Sequence, residues 1–414
     1  MKSQRIKREH KENLPPFKGS VVIETEKLPI KLWLPEDEMD EDTLQQARNL
    51  ANLPFAFGHI AIMPDTHLGY GMPIGAVLAT KGVIVPNAVG VDIGCGMCSL
   101  RTSLKDIETS DLKEIMGIIR NTVPVGHKHH KTDQDEAWMP EKKGKLPIVE
   151  QEYESGLRQM GTLGGGNHFI EIQKGSDGYI WIMVHSGSRN IGYRVANHYN
   201  DIAKKIHEEL GSESPRDLAH IPESSEFFEL YYNEMNYCIE FALANRKLMM
   251  ERVKAAFSEI TPGVGFSNFI NKPHNFADQE EHFGETLIVH RKGATRARKG
   301  EWGMIPGSQG TRSYLVLGKG EPHSFQSCSH GAGRVMSRTE ARKNLDMKEE
   351  VKLLKDQGIL HAIRHKSDLD EAPSSYKDIE EVMANQTDLV DIQIALQPLA
   401  VIKAKLEYLQ IRLP

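Results

Sequence analysis

Residues 90–98 read GVDIGCGMC, which sets a carboxylate, Asp92, three positions before a thiol, Cys95. Gly90, Gly94 and Gly96 leave the surrounding backbone bare, so both side chains can approach a common centre. His168, His185 and His274 complete a candidate donor set, each in or beside a Gly-rich or Asn-flanked turn. Neutral imidazole, thiolate and carboxylate together suit a borderline divalent ion such as Mn, Fe, Co or Zn, and not Mg alone. Five donors exceed what a tetrahedral structural site needs, and they fit two ions if the thiolate bridges. Two such ions can hold the attacking and leaving oxygens of a phosphoryl transfer together.

Blander readings stand beside this one. Any single histidine of the 18 is ordinarily a surface or hydrogen-bonded core residue, so the argument rests on the set. Cys95 and Cys98 also spell C-x-x-C, a pattern used for zinc or thiol redox. No second C-x-x-C exists, and Cys238 falls inside an amphipathic pattern. Cys98 and Cys328 are therefore expected to be small buried fillers.

Seven segments combine glycine with His, Arg, Asp, Cys or Lys: 63–71, 90–98, 161–171, 184–192, 290–297, 305–313 and 327–338. Bare backbone N–H groups in such loops favour anions, phosphate above all. Ordinary turns are Gly-rich too, but seven charged ones in a single chain point to a shared phosphate-handling site. In 327–338, SCSHGAGRVMSR, His330 is flanked by Gly331, Gly333 and Arg334.

The elements that must position these residues follow from periodicity. Helical spacing predicts helices over 42–53, 110–123, 226–257 (the longest, with one break) and 339–358, opening at Thr339 and stopping at Gly358. Apolar, β-branched runs predict strands at 59–63, 82–86, 179–184, 286–291 and 313–318. His185 then ends a strand, on a rigid element. Residues 126–145 are polar and of mixed charge, and read as a surface excursion. Helices and strands mix without regular βαβ alternation. The expected architecture is α+β: a single large mixed domain over 1–414, with central β-sheets and surrounding helices.

The totals agree. With 39% hydrophobic and 26% charged residues, the composition is that of a soluble globular protein. A net charge of −6 gives no global sign of nucleic-acid binding, yet a local basic groove remains compatible with it. The densest basic stretch, 290–300, with Arg312, Arg334 and Arg338, is the candidate groove. Four cysteines make no disulfide framework. No apolar run approaches the roughly 18 residues of a membrane span, and residues 1–17 lack a secretory apolar core. A cytoplasmic protein with no membrane partner is expected.

The ordered motifs GVDIGCGM, LGGGNHFIEI, HSGSRNIG, PHN, RKGA, IPGSQGT and SCSHGAGRVMSR resemble the RtcB family of RNA-splicing ligases, from about residue 27 to about 403. The resemblance implies a GTP- and Mn-dependent ligase joining an RNA 3′-phosphate or 2′,3′-cyclic phosphate to a 5′-hydroxyl, with a role in splicing or repair. It places guanylylation on His330 and gives Asp65, in MPDTH, the role of orienting that ring. It puts two Mn ions on Asp92, Cys95, His168, His185 and His274, with Cys95 as the bridge. Asn167 and Asn275 fall on phosphate contacts. Glu171, Ser313 or a neighbour, Tyr376 and Lys403 fall near the guanine, and Arg189 and Arg334 on phosphate or RNA. An activator protein is a further implied partner.

The family usually ends at Lys-Gly, whereas here Ala404 follows Lys403 and ten more residues follow that. Cys98 lies outside the family pattern, and the polar segment 1–20 has no assigned role. Two competing classes remain at this level. One is a metal-dependent RNA phosphoesterase or cyclic phosphodiesterase without ligation. The other is a noncatalytic RNA-end-binding protein.

Overall fold

The computed structural model describes residues 16–211 and 215–404. The segment 1–15 and the extension from 405 onward lie outside the described residues.

Two β-sheets carry the architecture. The first has six strands in the order Val21–Ile23, Ile30–Leu32, Ile60–His67, Ile74–Thr80, Glu285–Lys292, Asn275–His282. The second has seven, in the order Phe266–Pro273, Gly96–Thr102, Ile180–Ser186, Phe169–Gly175, Val390–Ile402, Ser313–Gly318, Trp302–Ile305. Nearly all pairings are antiparallel; Ile30–Leu32 with Ile60–His67 is parallel. The mixed α+β class expected from the sequence is what the chain adopts.

The chain passes from the second sheet to the first at His274. Pro273 pairs with Gly96 on one side, and Asn275 with Lys292 on the other. Strand ends from both sheets therefore meet at one seam.

The expected break in the longest helix does not occur. Glu226–Ile260 is continuous over 35 residues, because it contains neither Gly nor Pro and keeps an apolar face at helical spacing through Met235, Cys238, Phe241, Ala242, Met249 and Val253. Its N-cap is Ser225, which accepts from Phe227 N. The helix expected at 339–358 is instead two, Arg338–Asn344 and Met347–Asp356. Ser337, not Thr339, opens the first through a capping box with Glu340. Asp346 opens the second, accepting from Lys348 N and Glu349 N at 2.7 and 3.1 Å. A side-chain acceptor at that point outcompetes continuation of the first helix.

Helices Pro147–Gln159 and Arg189–Glu209 escape the periodicity reading. Both are tied to the long helix through buried Glu234. Its Oε1 accepts from Ile148 N and Val149 N, each at 2.7 Å, and Oε2 accepts from Tyr199 Oη at 2.7 Å. One carboxylate thus caps one helix and anchors another. The excursion 126–145 is largely exposed, with a single short 3-10 turn at Glu136–Trp138.

Most cations of the basic stretch 290–300 are buried or paired, while Lys292, with Arg334 and Arg338, lines a cleft. Arg291 is fully buried, with Nη1 2.7 Å from Glu280 Oε1 and Nη2 3.0 Å from Oε2. Glu280 also meets His282 at 2.8 Å. Lys292 is buried and donates to Tyr70 O, while Arg296 pairs with Glu301 and Asp278. The strand Glu285–Lys292 is buried on both faces from Leu287 onward, and Glu280 neutralises Arg291 there.

Removing one partner of the Arg291–Glu280 pair strands a buried charge. Arg291→Leu is expected to lower unfolding stability by about 3–5 kcal/mol, read by denaturant or thermal melts. Arg298→Leu, at a largely exposed site, should cost little.

Candidate metal centre and histidine site

Four of the five predicted donors sit at strand ends on the seam. Cys95 immediately precedes the strand Gly96–Thr102, and His168 precedes Phe169–Gly175. His185 lies on Ile180–Ser186, paired with both Met97 and Phe169. His274 is the link between the sheets, its backbone N donating to Cys95 O at 2.8 Å. Asp92 belongs to the loop before Cys95 and accepts from Ser188 N at 3.1 Å through Oδ1.

The side chains converge as two triads that share one sulfur. Cys95, His185 and His274 form the first, and Asp92, Cys95 and His168 the second, with donor atoms of each triad within 4.8 Å of one another. Cys95 Sγ lies 3.4 Å from His168 Nε2 and 3.3 Å from His185 Nε2. His185 Nε2 is 3.3 Å from His274 Nε2, and His168 Nε2 is 3.1 Å from Asp92 Oδ2. The far nitrogens are tied back: His168 Nδ1 donates to Leu163 O at 2.9 Å and His185 Nδ1 to Asn167 O at 3.1 Å. Those bonds place the lone pair on Nε2, the nitrogen that faces the centre. Burial, followed by neighbouring histidines, drives His185 and His274 well below the usual imidazole range, so both are neutral. Burial raises the Cys95 thiol well above its ordinary value, and Asp92 adds to this. For Asp92, burial acts upward, but His168 and Arg189 outweigh it and hold the carboxyl ionised. The donor set fits borderline divalent cations, and the sulfur common to both triads fits a bridging thiolate.

The glycines of the first motif answer to packing. Gly94 has φ +74°, and a Cβ there would lie 2.8 Å from Ile239 Cα in the long helix. That helix also supplies the fully buried Arg246. Its Nη1 donates to Gly94 O and Ser186 O at 2.9 and 2.8 Å, and its Nε to Asn271 Oδ1 at 2.7 Å. One guanidinium thus ties together the loops bearing Cys95 and His185. Cys98 points the other way, into the core with Ile182, Val184 and Phe257, where burial pushes its thiol up to about 12. It cannot join Cys95 on a metal, so the C-x-x-C is a packing coincidence. Cys328 is likewise buried in the core, as expected.

His330 stands beside the first triad, its ring centroid 4.9 Å from that of His274. Its Nδ1 lies 2.6 Å from Asp65 Oδ2. The same oxygen accepts from His330 N at 3.0 Å and Gly331 N at 3.1 Å, fixing loop and ring together. Asp65 is fully buried; burial raises its pKa, but His330's charge and hydrogen bonds bring it below the usual value. Gly333, at φ +74°, permits this approach, since a Cβ there would meet Asp65 O at 2.1 Å.

A cleft of about 790 Å³ opens over both features. Asn167, Glu171, Asn275, Arg334, Tyr376 and Lys403 line it. Asn275 is already engaged with Asp92 O and Gly293 N, so it braces the metal loop. Ser313 does not line the cleft. It lies behind the wall, accepting from Gly307 N and Gln173 Nε2, each at 3.2 Å, and its neighbours Ser308 and Gln309 face the cavity instead. Arg189 lines an adjoining cavity of about 550 Å³ that shares Asp92, Asn167 and Lys403 with the cleft.

Sequence reasoning missed Glu371. This buried carboxylate accepts from Tyr376 Oη and lies 3.2 Å from Lys403 Nζ, 3.4 Å from Arg334 Nη1 and 3.3 Å from Arg338 Nε. Burial acts upward on it, and the three cations outweigh that, keeping it ionised. Its segment, DLDEAP, carries no motif; only tertiary contacts reveal it. Lys403 keeps a defined place despite the longer tail, held by Glu371 and lying 5.7 Å from the Phe169 ring centroid.

Two triads of candidate metal donors thus share one sulfur, with an aspartate-held histidine alongside. The family model described as tRNA-splicing ligase RtcB matches residues 46–146 and 136–404, and the chain belongs to the RtcB family. It is 40% identical to the RNA-splicing ligase RtcB of Escherichia coli K12, covering 92% of this chain and 99% of that one. It is 32% identical to the tRNA-splicing ligase RtcB of Nanoarchaeum equitans, covering 91% and 95%. Among the described residues, no helix is long and apolar enough to cross a membrane.

Two measurements test this site. Because the buried thiol must lose its proton to ligate, metal binding is expected to release about one proton from Cys95. Calorimetry in buffers of different ionisation enthalpy reads it, and Cys95→Ala should remove that proton and uncouple the two ions. Glu171, raised by burial to about 8, binds a proton more tightly folded than unfolded. Its contribution to stability is therefore full below its ordinary pKa of 4.5 and is lost as pH rises through 8. Glu171→Gln should raise the melting temperature more at pH 8.5 than at pH 5.

Proposed function

We propose that the chain is a GTP- and Mn-dependent RNA ligase that joins RNA 3′-phosphate or 2′,3′-cyclic phosphate ends to 5′-hydroxyl ends through a His330–GMP intermediate. The observation that carries the reading is the Asp65–His330 pair set 4.9 Å, ring to ring, from a histidine of the shared-sulfur site. The names of the relatives, RNA-splicing and tRNA-splicing ligases, support an RNA substrate for this chain too.

With Asp65 holding Nδ1, the lone pair of His330 resides on Nε2. That nitrogen attacks the α-phosphorus of GTP; an N–P bond forms and the bond to pyrophosphate breaks. Asp65 stabilises the positive charge that develops on the ring. An oxygen of the RNA 3′-phosphate then attacks the same phosphorus, the N–P bond breaks, and a phosphoanhydride links GMP to the RNA end. The 5′-hydroxyl attacks the RNA phosphorus, a phosphodiester forms and GMP departs. Bound to Asp92, Cys95, His168, His185 and His274, two Mn ions would supply charge neutralisation on the reacting phosphates.

Arg189 and Arg334 are assigned to phosphates, and Asn167 to the triphosphate. Glu171, protonated near neutral pH, and Lys403 offer donors to the guanine edge, and Tyr376 provides an aromatic wall. Unpaired donors facing adenine would reject ATP.

Incubation with labelled GTP and Mn is expected to give a GMP adduct that survives denaturation, is acid-labile and is absent in His330→Ala. Asp65→Asn should slow its formation by about two to four powers of ten. Opening of cyclic phosphates by a wild-type protein that forms no adduct would replace this reading with a phosphodiesterase. End-binding without either activity would leave only a binding protein.

A further inference from the structure

Behind the adjoining cavity lies a second concavity, of about 340 Å³, with no role in the chemistry above. Its polar lining is wholly basic: Lys113, Arg120, Lys355 and His361, over an apolar floor that includes Met116 and Ile359. Lys113, Met116 and Arg120 lie at positions i, i+3 and i+7 of the helix Thr109–Thr122, so one helix face builds one wall. Lys355 comes from the last turn of Met347–Asp356, and His361 from the strand-like segment beyond it.

No carboxylate balances this cluster. Among the described residues, Lys113, Arg120, Lys355 and Arg364 form no ion pair. The nearby Asp356 is taken by Lys352 at 3.1 Å. His361 Nδ1 is buried without a hydrogen-bond partner. Burial first, then the neighbouring cation Arg364, depresses Arg120; burial, Lys355 and Arg364 depress His361. Like charges held together without a counter-charge are costly in the empty state and favourable around an anion.

The segment that lines the concavity is tied by backbone to the strand leading to Lys403. Leu360 pairs with Ala400, and Val401 N donates to Leu360 O at 2.9 Å, two residues before Lys403. Ala362, next to His361, lines the cavity that contains Arg189, Arg342 and Lys403. Leu360 and His361 line the basic concavity and Ala362 the cavity with Lys403, so one short segment contributes to both.

We propose that this concavity is a docking site for a backbone phosphate of the RNA substrate, several nucleotides from the reacting end. It rests on the ligase reading and adds to it a length requirement: RNA long enough to span the two sites gains affinity, and short ends do not. The apolar floor and absence of aromatic platforms suit a sugar-phosphate contact and not base readout.

The test compares the full chain with an Arg120→Glu/Lys355→Glu variant and an Arg120→Ala/Lys355→Ala variant. Fluorescence anisotropy measures binding of 3′-phosphorylated RNAs of 4 and 20 nucleotides across a salt series. The 20-mer is expected to bind about fivefold more weakly in the charge-reversed variant, with the slope of log K against log salt reduced by about 1. The alanine variant, which keeps the fold's risk low, should show the reduced slope alone. The 4-mer, the GMP adduct and a Lys352→Glu control should match wild type. Equal losses for both lengths, or an unchanged 20-mer in both variants, would overturn the docking site. The adduct reports separately: its absence in wild type, with the length-dependent loss intact, sinks nucleotidyl transfer and leaves this site standing.

Discussion

Three imidazole nitrogens, a sulfur and a carboxylate oxygen form a chain of close contacts through Cys95, yet the backbone carbonyls at Leu163 and Asn167 already hold the Nδ1 protons of two of the rings. What faces inward at Cys95 is therefore mostly lone pairs. Such a cluster repels itself unless cations lie among the donors, and its burial removes water as a substitute. The rest of the structure is arranged around keeping it assembled. Arg246 ties the loops bearing Cys95 and His185 from below, and His274 locks the two sheets together at the point where the donors meet. Any cation bound there would also fasten one sheet to the other.

The donor set was legible in the sequence because each member sits in a motif whose glycines and asparagines have a physical purpose. Gly94 must let a loop lie against the long helix, and Gly333 must admit Asp65 beside His330. Motif order also carried the wall of the cleft, with one displacement: Ser313 braces from behind while Ser308 and Gln309 face the cavity. The α+β class followed from irregular alternation of periodic segments, and most boundaries were close. The errors have local causes. A helix without Gly or Pro ran unbroken through Cys238, and a side-chain acceptor at Asp346 split another. Two helices were overlooked: in Arg189–Glu209 the buried Ile191, Val195, Tyr199 and Ala203 do recur at helical spacing, whereas Pro147–Gln159 is capped from elsewhere in the chain, by Glu234.

Charge was the least legible property. The stretch 290–300 looks like a basic groove in one dimension, but Glu280 and Glu301, on either side of it, neutralise Arg291 and Arg296 in three. The concavity around Arg120 and Lys355 draws its cations from segments more than 230 residues apart in the chain, so no window of sequence displays it. Composition reports how many charges a chain has. Only the fold decides which of them keep an uncompensated field, and a protein of net negative charge can still concentrate positive field locally.

Glu371 shows how the metal site and the nucleotide wall are kept in mutual register. A single buried carboxylate collects Tyr376, Lys403, Arg334 and Arg338, groups from three separate segments, and its charge is stable because those cations surround it. Lys403 in turn ends the strand whose Ile402 pairs with Ile170, and the adjacent Phe169 pairs with His185 of the first triad. The path from wall to donor is thus a backbone ladder across three strands joined by two pairings. The position of Lys403 is set by the strand before it and the carboxylate facing it.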